Sequence, residues 1–147
     1  MRTRLSAPTW SGLIGAMSIM LAGCTPTPDE PHALCMQTQA KPDLQIRLMF
    51  GLMRDDGRRI SDAEWQHYSD EVLSVALPDG FSVIPADGTW KDPRTGQTDR
   101  EPSRIVWAAI RPSPTLAARL DAARAVYRTR FSQHSVGLII SSGCESF

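Results

Sequence analysis

Six residues in a predicted loop, at a predicted helix start and in a predicted hairpin have side chains that could carry chemistry together. They are two arginines, two glutamates and two tryptophans: Arg54, Glu64, Trp65, Trp90, Arg100 and Glu101. An arginine can hold a carboxylate through two parallel hydrogen bonds, and a glutamate can act as a general base when burial raises its pKa. Aromatic walls with mixed charge are typical of a site for a small molecule or a peptide. The competing interpretation is that these charges are solvated, and Glu64 also stands where it can cap a helix.

Sequence motifs of metal, phosphate and hydrolase sites are absent. His67 follows Glu64 by three residues, so the two side chains share one helix face, but a complete metal site needs three or four ligands. The sequence has no Cys-x-x-Cys, no glycine-rich phosphate loop, no Gly-x-Ser-x-Gly and no His-Glu-x-x-His. We therefore predict neither a metal ion nor a cofactor.

The composition restricts the class of protein. Lys and Arg number 16 and Asp and Glu also 16 in a chain of 147 residues, so no basic excess indicates a nucleic-acid partner. Charged residues make up 22% and hydrophobic residues 41%, which excludes a wholly disordered chain and a membrane protein with several spans. The length is sufficient for one domain and too short for two ordinary ones.

The N-terminus has the features of a secretory signal. Arg2 and Arg4 precede an uncharged apolar run at residues 10–22. As a helix this run would be about 20 Å long, which is too short to span ~30 Å of hydrocarbon. It ends in Leu21-Ala22-Gly23-Cys24, which resembles the bacterial lipobox, where a diacylglycerol is attached to the cysteine and the signal is cleaved before it. A short transmembrane anchor is the alternative.

The lipobox resemblance implies a mature chain that begins at a lipidated Cys24. Thr25 follows instead of an aspartate, which by analogy with enteric lipoproteins favours the periplasmic face of the outer membrane. Four prolines make residues 24–42 an expected tether, partly extended, between the lipid and the domain. We therefore divide the chain into a signal peptide at 1–23, the tether at 24–42 and a compact domain at 43–147.

Hydrophobic periodicity predicts a β-α-β-β-α-β order in this domain. The predicted strands lie at residues 44–50, 81–84 with a continuation to 90, 103–110 and 134–140, and the predicted helices at 61–77 and 113–131. Ser61 and Glu64 form a capping-box pattern at the first helix, and Ser113 is the expected cap of the second. This order is typical of the ferredoxin-like fold, an α+β sandwich with a four-stranded antiparallel sheet and two helices on one face.

The topology of this fold places the cysteines and the candidate residues at opposite ends. Right-handed crossovers give the strand order 4-1-3-2, so the start of the first strand and the end of the last lie together. Cys35 and Cys144 then fall at one end and would form a disulfide in an oxidising compartment, although they could be two unrelated thiols. The six candidate residues gather at the other end. Trp65, Tyr68 and Trp107 fit the core better than a cofactor site.

Seven short motifs between residues 44 and 147 form a specific combination. They are Phe50-Gly51-Leu52 with Arg54 and Gly57, Ser61-x-x-Glu64-Trp65, Pro78-Asp79-Gly80-Phe81, Gly88-x-Trp90, Arg100-Glu101-Pro102-Ser103, Tyr127-x-x-Arg130-Phe131 and Cys144-x-x-Phe147. The combination resembles an uncharacterised bacterial family, the domain of unknown function 3574. The resemblance implies a small secreted or lipid-anchored domain without an assigned activity, and all six candidate residues match its motifs.

We expect a lipid-anchored envelope protein that binds a small ligand or an envelope partner, and whose exposed sheet could pair two copies into a homodimer. The alternative is a small envelope enzyme with Glu101 or Glu64 as general base and Arg54 or Arg100 as anion holder. A structural spacer without a ligand is the third interpretation. A buried carboxylate with a raised pKa beside a pocket would favour the enzyme.

Overall fold

A four-stranded antiparallel sheet forms the centre of the computed structural model, which describes residues 30–91 and 95–147. Its strands are β1 Lys41–Gly51, β2 Ser82–Lys91, β3 Thr98–Ile110 and β4 Gly137–Glu145. They lie in the order β2-β3-β1-β4, and every neighbouring pair is antiparallel. This is the predicted order 4-1-3-2 counted from the other edge, so the ferredoxin-like fold is confirmed. The predicted signal peptide and Cys24 lie outside the described residues.

The alternation of side chains along β1 decides which face of the sheet is buried. Ile46, Leu48 and Phe50 are fully buried beneath the helices, as their spacing predicts, because every second side chain of a strand points to the same face. Arg47 and Met49 point the other way. We call the face opposite the helices the open face.

The first helical region covers part of the buried face and begins at the predicted capping box. α2 Asp62–Tyr68 starts where the Ser61 hydroxyl accepts a hydrogen bond from the Glu64 amide and the Glu64 carboxylate accepts one from the Ser61 amide. A π-helical turn, Ser69–Leu73, and the short helix α3 Ser74–Ala76 follow. Because a π turn adds one residue to the helical repeat, Tyr68 and Leu73 are both fully buried although they are five residues apart.

The second helix, α4 Leu116–Phe131, buries the predicted apolar stripe. Its buried residues are Leu116, Leu120, Ala123, Tyr127 and Phe131. The predicted Ser113 cap is wrong, because the helix begins later, after Thr115, which makes no side-chain cap hydrogen bond. Ser113 instead accepts a hydrogen bond from the Leu116 amide with its backbone carbonyl, at 3.2 Å.

Two apolar residues lie at the surface although the sequence pattern predicts them inside. Trp107 of β3 is 45% exposed because its alternation places it on the open face. Ile140 of β4 shares the helix-side face with Ile46, yet it is 50% exposed. β4 is an edge strand. The helices cover β1 beside it but leave this part of β4 exposed.

The last part of the predicted tether is not extended. Residues 30–37 form helix α1 Glu30–Gln37, and Pro31 falls in its first turn, where a missing amide N–H costs no hydrogen bond. Cys35 of α1 forms the predicted disulfide with Cys144 of β4, with a Cα–Cα distance of 6.0 Å. This helix is therefore attached to the domain. None of the helices in the described part of the chain has the length and hydropathy needed to cross a membrane.

Candidate functional site

The six candidate residues lie at the predicted end of the sheet but on two sides of it. Arg54, Glu64 and Trp65 lie on the helix-covered side, and we call them the Arg54 cluster. Trp90 and Glu101 lie on the open face, by the alternation of β2 and β3. We call these two residues, together with Gly51, Gly88 and Gln133 around them, the Glu101 site. Arg100 is exposed and points to the face opposite its neighbour Glu101, so the structure does not bring the six residues together on one side of the sheet.

The charged side chains of the Arg54 cluster neutralise each other. Arg54 Nη2 lies 2.7 Å from Glu64 Oε1, and the Arg54 side chain is only 13% exposed. Its guanidinium group also packs over the ring of Phe131 at 5.5 Å. Hydrogen bonds from the Ser61 amide and hydroxyl, and then from Arg54, lower the pKa of Glu64 to about 2. A carboxylate with so low a pKa is a weak proton acceptor at neutral pH, so Glu64 is poorly suited to be a general base.

Trp65 belongs to the hydrophobic core and does not line the surface. It is 3% exposed, and its ring lies 5.2 Å from that of Phe50 in an edge-on contact. The guanidinium group of Arg104 covers its other side at 5.2 Å and binds Asp62 at 2.6 Å. The sequence reasoning missed Arg104, because its partner Asp62 is 42 residues away and only the strand order brings them together.

Glu101 is a half-buried carboxylate with donors on two sides. It stands opposite Gly88 in the β2–β3 ladder, and the backbone amide of Met53 and the Trp90 side chain lie near its carboxylate. Burial raises the pKa of Glu101, and the nearby charge of Asp99 acts in the same direction. The two neighbouring N–H groups lower this pKa without cancelling the shift. A group that exchanges protons at neutral pH needs a pKa above the usual carboxylate range. The raised pKa of Glu101 meets this requirement better than the lowered pKa of Glu64.

Gly51 and Gly88 have no side chain, and the Glu101 carboxylate and the Trp90 indole fill the space that a side chain would take. A Cβ at Gly51 would lie 2.9 Å from Cδ of Glu101 and 3.0 Å from the side-chain oxygen of Gln133. A Cβ at Gly88 would lie 2.8 Å from Nε1 of Trp90. The carboxylate and the indole thus lie directly over the backbone of the two flanking strands. Any larger residue at these positions would force the carboxylate or the indole to move.

The backbone next to Glu101 is fixed by three hydrogen bonds. The Tyr127 hydroxyl donates to the Gly51 carbonyl at 2.7 Å, and the Gln133 side-chain amide donates to the Met53 carbonyl. The Leu52 amide donates to the Pro102 carbonyl at 2.9 Å. Since the Met53 amide lies near the Glu101 carboxylate, these contacts also fix the position of that amide. Gly51 and Tyr127 occur in the family motifs, whereas no sequence signal distinguishes Gln133.

Two surface grooves in the described part of the chain lie away from the Glu101 site. One groove, of about 190 Å³, lies between the π turn and α4 and is lined mainly by valines and alanines, with Glu71 and Arg119 at its sides. A second, of about 400 Å³, lies at the disulfide end near Lys41, Arg111 and Phe147. Across residues 30–91 and 95–147, no group of three or more His, Cys, Asp and Glu side chains is placed to hold a metal ion.

Comparisons with known proteins identify a family and a fold. A family model described as "Protein of unknown function (DUF3574)" matches residues 45–147. A phage SAM lyase in complex with S-methyl-5′-thioadenosine is 17% identical over 71% of this chain and 85% of that chain, with a TM-score of 0.57. The apo state of a phage SAM lyase gives 18% identity over 71% and 86%, with a TM-score of 0.51.

CutA from Synechococcus elongatus is 14% identical over 74% of this chain and 88% of that chain, with a TM-score of 0.45. No curated protein sequence matches significantly. At these identities the two phage structures establish the fold alone.

Proposed function

This chain belongs to the DUF3574 family of proteins of unknown function, and on that premise we propose that it is a lipid-anchored bacterial envelope protein that binds a small ligand at the Glu101 site. The lipobox-like Leu21-Ala22-Gly23-Cys24 after a basic and apolar start supports the anchor. The Cys35–Cys144 disulfide supports an oxidising compartment outside the cytoplasm. The periplasmic face of the outer membrane is the proposed location.

The anchor depends on the thiol of Cys24. We expect labelled palmitate to be incorporated into the wild-type protein in bacteria and not into Cys24→Ala. Cys35→Ser is the matched control, because it also removes one thiol but leaves the lipobox intact. Labelling that persists in Cys24→Ala would contradict the lipid anchor, and a wild type that stays in the membrane without any label would support a transmembrane one.

The observation that carries the ligand proposal is the pairing of Glu101 with Trp90. Trp90 is 41% exposed, so much of its indole is available for stacking, while its side chain also lies near enough to the carboxylate to favour its ionised form. A carboxylate has about four lone-pair positions, and Met53 and Trp90 are near two of them at most. The remaining positions can accept from a ligand, and a raised pKa lets the protonated acid donate as well.

These groups fit a planar ring that carries an amino group. The ring would stack on the exposed indole, and its N–H donors would meet the free lone pairs of Glu101. S-methyl-5′-thioadenosine, which the similar phage SAM lyase structure contains, has an adenine ring with an amino group beside a ring nitrogen. It is therefore the first probe to use, although the low identity transfers no ligand by itself.

Glu101→Gln should raise stability and remove binding. Because the folded-state pKa of Glu101 is raised, the folded protein binds more protons than the unfolded chain, and the ionised carboxylate lowers stability at neutral pH. The variant should unfold at a higher temperature than the wild type at pH 7. The difference should shrink as the pH falls through the raised pKa toward the ordinary value of 4.5. The stabilising shift that S-methyl-5′-thioadenosine gives the wild type should disappear.

Asp87→Asn is the matched control for this variant. Asp87 is exposed on β2, one residue from Gly88 and on the opposite sheet face, so the substitution removes the same charge without touching the site. Native mass spectrometry of the detergent-purified protein would detect a ligand that copurifies. A wild type without any copurified mass or probe-induced shift would overturn the small-ligand proposal. A ligand shift that persists in Glu101→Gln would place the site elsewhere.

The second candidate function is an envelope enzyme with Glu101 as general base. The raised pKa of this half-buried carboxylate favours it, whereas the Glu64 carboxylate is held ionised by its cap and by Arg54. Neither predicted anion holder lies beside Glu101, because Arg54 binds Glu64 and Arg100 points to the other face. Conversion of the bound ligand to a species of different mass, in the wild type and not in Glu101→Gln, would distinguish the enzyme from a binding domain.

A further inference from the structure

The open face carries more apolar surface than a solvated sheet face needs. Trp107 is 45% exposed, Ile84 44% and Ile139 47%. Trp107 and Ile139 stand in one row of the ladder with Arg47 between them, and Ile84 stands in the next row with half-buried Ile105 and Met49. Contiguous apolar residues of this kind mark interaction surfaces in soluble domains. The Glu101 site lies on the same face, at the end of this apolar area.

The charges on this face are arranged to complement a second copy of it. Arg47 lies in the outer row of the apolar area, between Trp107 and Ile139, and Glu101 lies beyond the opposite end of the area, six residues along β3 from Trp107. At ~3.4 Å per residue the two charges are roughly 20 Å apart. A two-fold axis near Ile105, midway between them, would place Arg47 of each copy opposite Glu101 of the other. Self-complementarity about such an axis is what a symmetric dimer requires.

The strands of the open face are staggered. β2 lies beside residues 98–107 of β3 and β4 lies beside residues 41–49 of β1, so all four strands run side by side only from Ile105 to Trp107. A contact about this axis is therefore centred on β3 and covers part of the face. A partner with another charge pattern would not place an acidic group opposite Arg47 and a basic group opposite Glu101 at the same time.

We propose that two copies of this chain pack through their open faces, with Arg47 of each copy opposite Glu101 of the other, so that the dimer encloses the Glu101 site. In a single copy this site is an open surface, and Arg54 and Arg100 are not beside the carboxylate. The dimer would bring a guanidinium group from the second copy to the site. A ligand held there would then contact a carboxylate and an indole of one copy and an arginine of the other.

Lysine substitutions at two adjacent positions of β4 test the face. Ile139 and Ile140 have nearly equal exposures of 47% and 50%, but Ile139 points to the open face and Ile140 to the helix side. Sedimentation equilibrium of the full protein in density-matched detergent should give a dimer for the wild type and for Ile140→Lys. Ile139→Lys should raise the dimer dissociation constant roughly tenfold or more, because it buries an unpaired ammonium group in the interface.

Charge reversal tests the proposed pairing without depending on the apolar contacts. Arg47→Glu and Glu101→Arg should each shift the protein toward monomer, and the double variant should recover the dimer. Circular dichroism of each variant checks that it is folded. A wild type that stays monomeric at every concentration overturns the proposal, as does equal dissociation by Ile139→Lys and Ile140→Lys. Dimerisation without any ligand binding would retain this inference and overturn only the proposed function.

Discussion

Phe50→Ala should lower the free energy of unfolding by about 3–5 kcal/mol, as large-to-small substitutions of buried aromatic residues do. Phe50 is fully buried and its ring contacts three aromatic rings, those of Trp65, Tyr68 and Tyr127, at centroid distances of 5.2, 5.7 and 4.7 Å. Through these rings Phe50 packs β1 against both α2 and α4. The cavity left by the alanine cannot close without moving a strand and two helices, so the loss should be at the upper end for a core residue.

Urea unfolding of the detergent-purified protein measures this change. Val75→Ala is the control, because Val75 is 69% exposed and should change stability little. Phe50 directly precedes Gly51, whose carbonyl accepts from Tyr127, so Phe50→Ala should weaken ligand binding together with stability. Glu101→Gln should separate the two properties. If Phe50→Ala unfolds at the same urea concentration as the wild type, the aromatic cluster does not fix the end of the sheet.

The part of the fold that sequence reasoning predicted rests on short-range patterns. The period-2 alternation of residues 44–50 and the Ser61–Glu64 capping box each involve neighbours in the chain, so local chemistry alone determines them. Strand order followed from handedness rules applied to these elements. The Cys35–Cys144 pairing then followed from strand order, although 109 residues separate the two cysteines.

The division of the candidate site into two sides could not be predicted in the same way. β3 was predicted to begin at residue 103, whereas it begins at Thr98, so Glu101 was placed in the hairpin before this strand and was assigned to neither sheet face. Once residue 101 is part of the strand, alternation directs Glu101 and Arg100 to opposite faces. Arg54 pairs with Glu64 across a loop, and its orientation depends on the position of Phe131 in α4. A sequence pattern carries no information on such a contact between distant elements.

Helix α1 shows the same limit in another form. Its residues are polar or exposed over much of their length, and Leu34 and Met36 are 60% and 69% exposed. No apolar stripe indicated a helix there, and the prolines before and after it indicated a tether. Helices of this length are marginally stable in isolation. The disulfide between Cys35 and Cys144 of β4 is therefore the contact that we expect to stabilise α1 most.

Removing the disulfide should therefore have the second large effect on stability. For a loop of about 110 residues, the chain-entropy argument gives about 4–5 kcal/mol lost from the free energy of unfolding in Cys35→Ser/Cys144→Ser. The double variant avoids leaving a free thiol. Its effect should appear as a lower urea midpoint, because the reduced unfolded chain has more conformations available while the β1–β4 ladder of the folded state remains.

A reductant provides the control for this prediction. Dithiothreitol should lower the midpoint of the wild type to that of the double variant and leave the double variant unchanged, since only the wild type has the bond to lose. Mass spectrometry should find the oxidised wild type two mass units lighter than the reduced protein. If dithiothreitol breaks the bond without moving the midpoint, the covalent link only holds α1 against β4, and the ladder itself sets the stability of this end of the sheet.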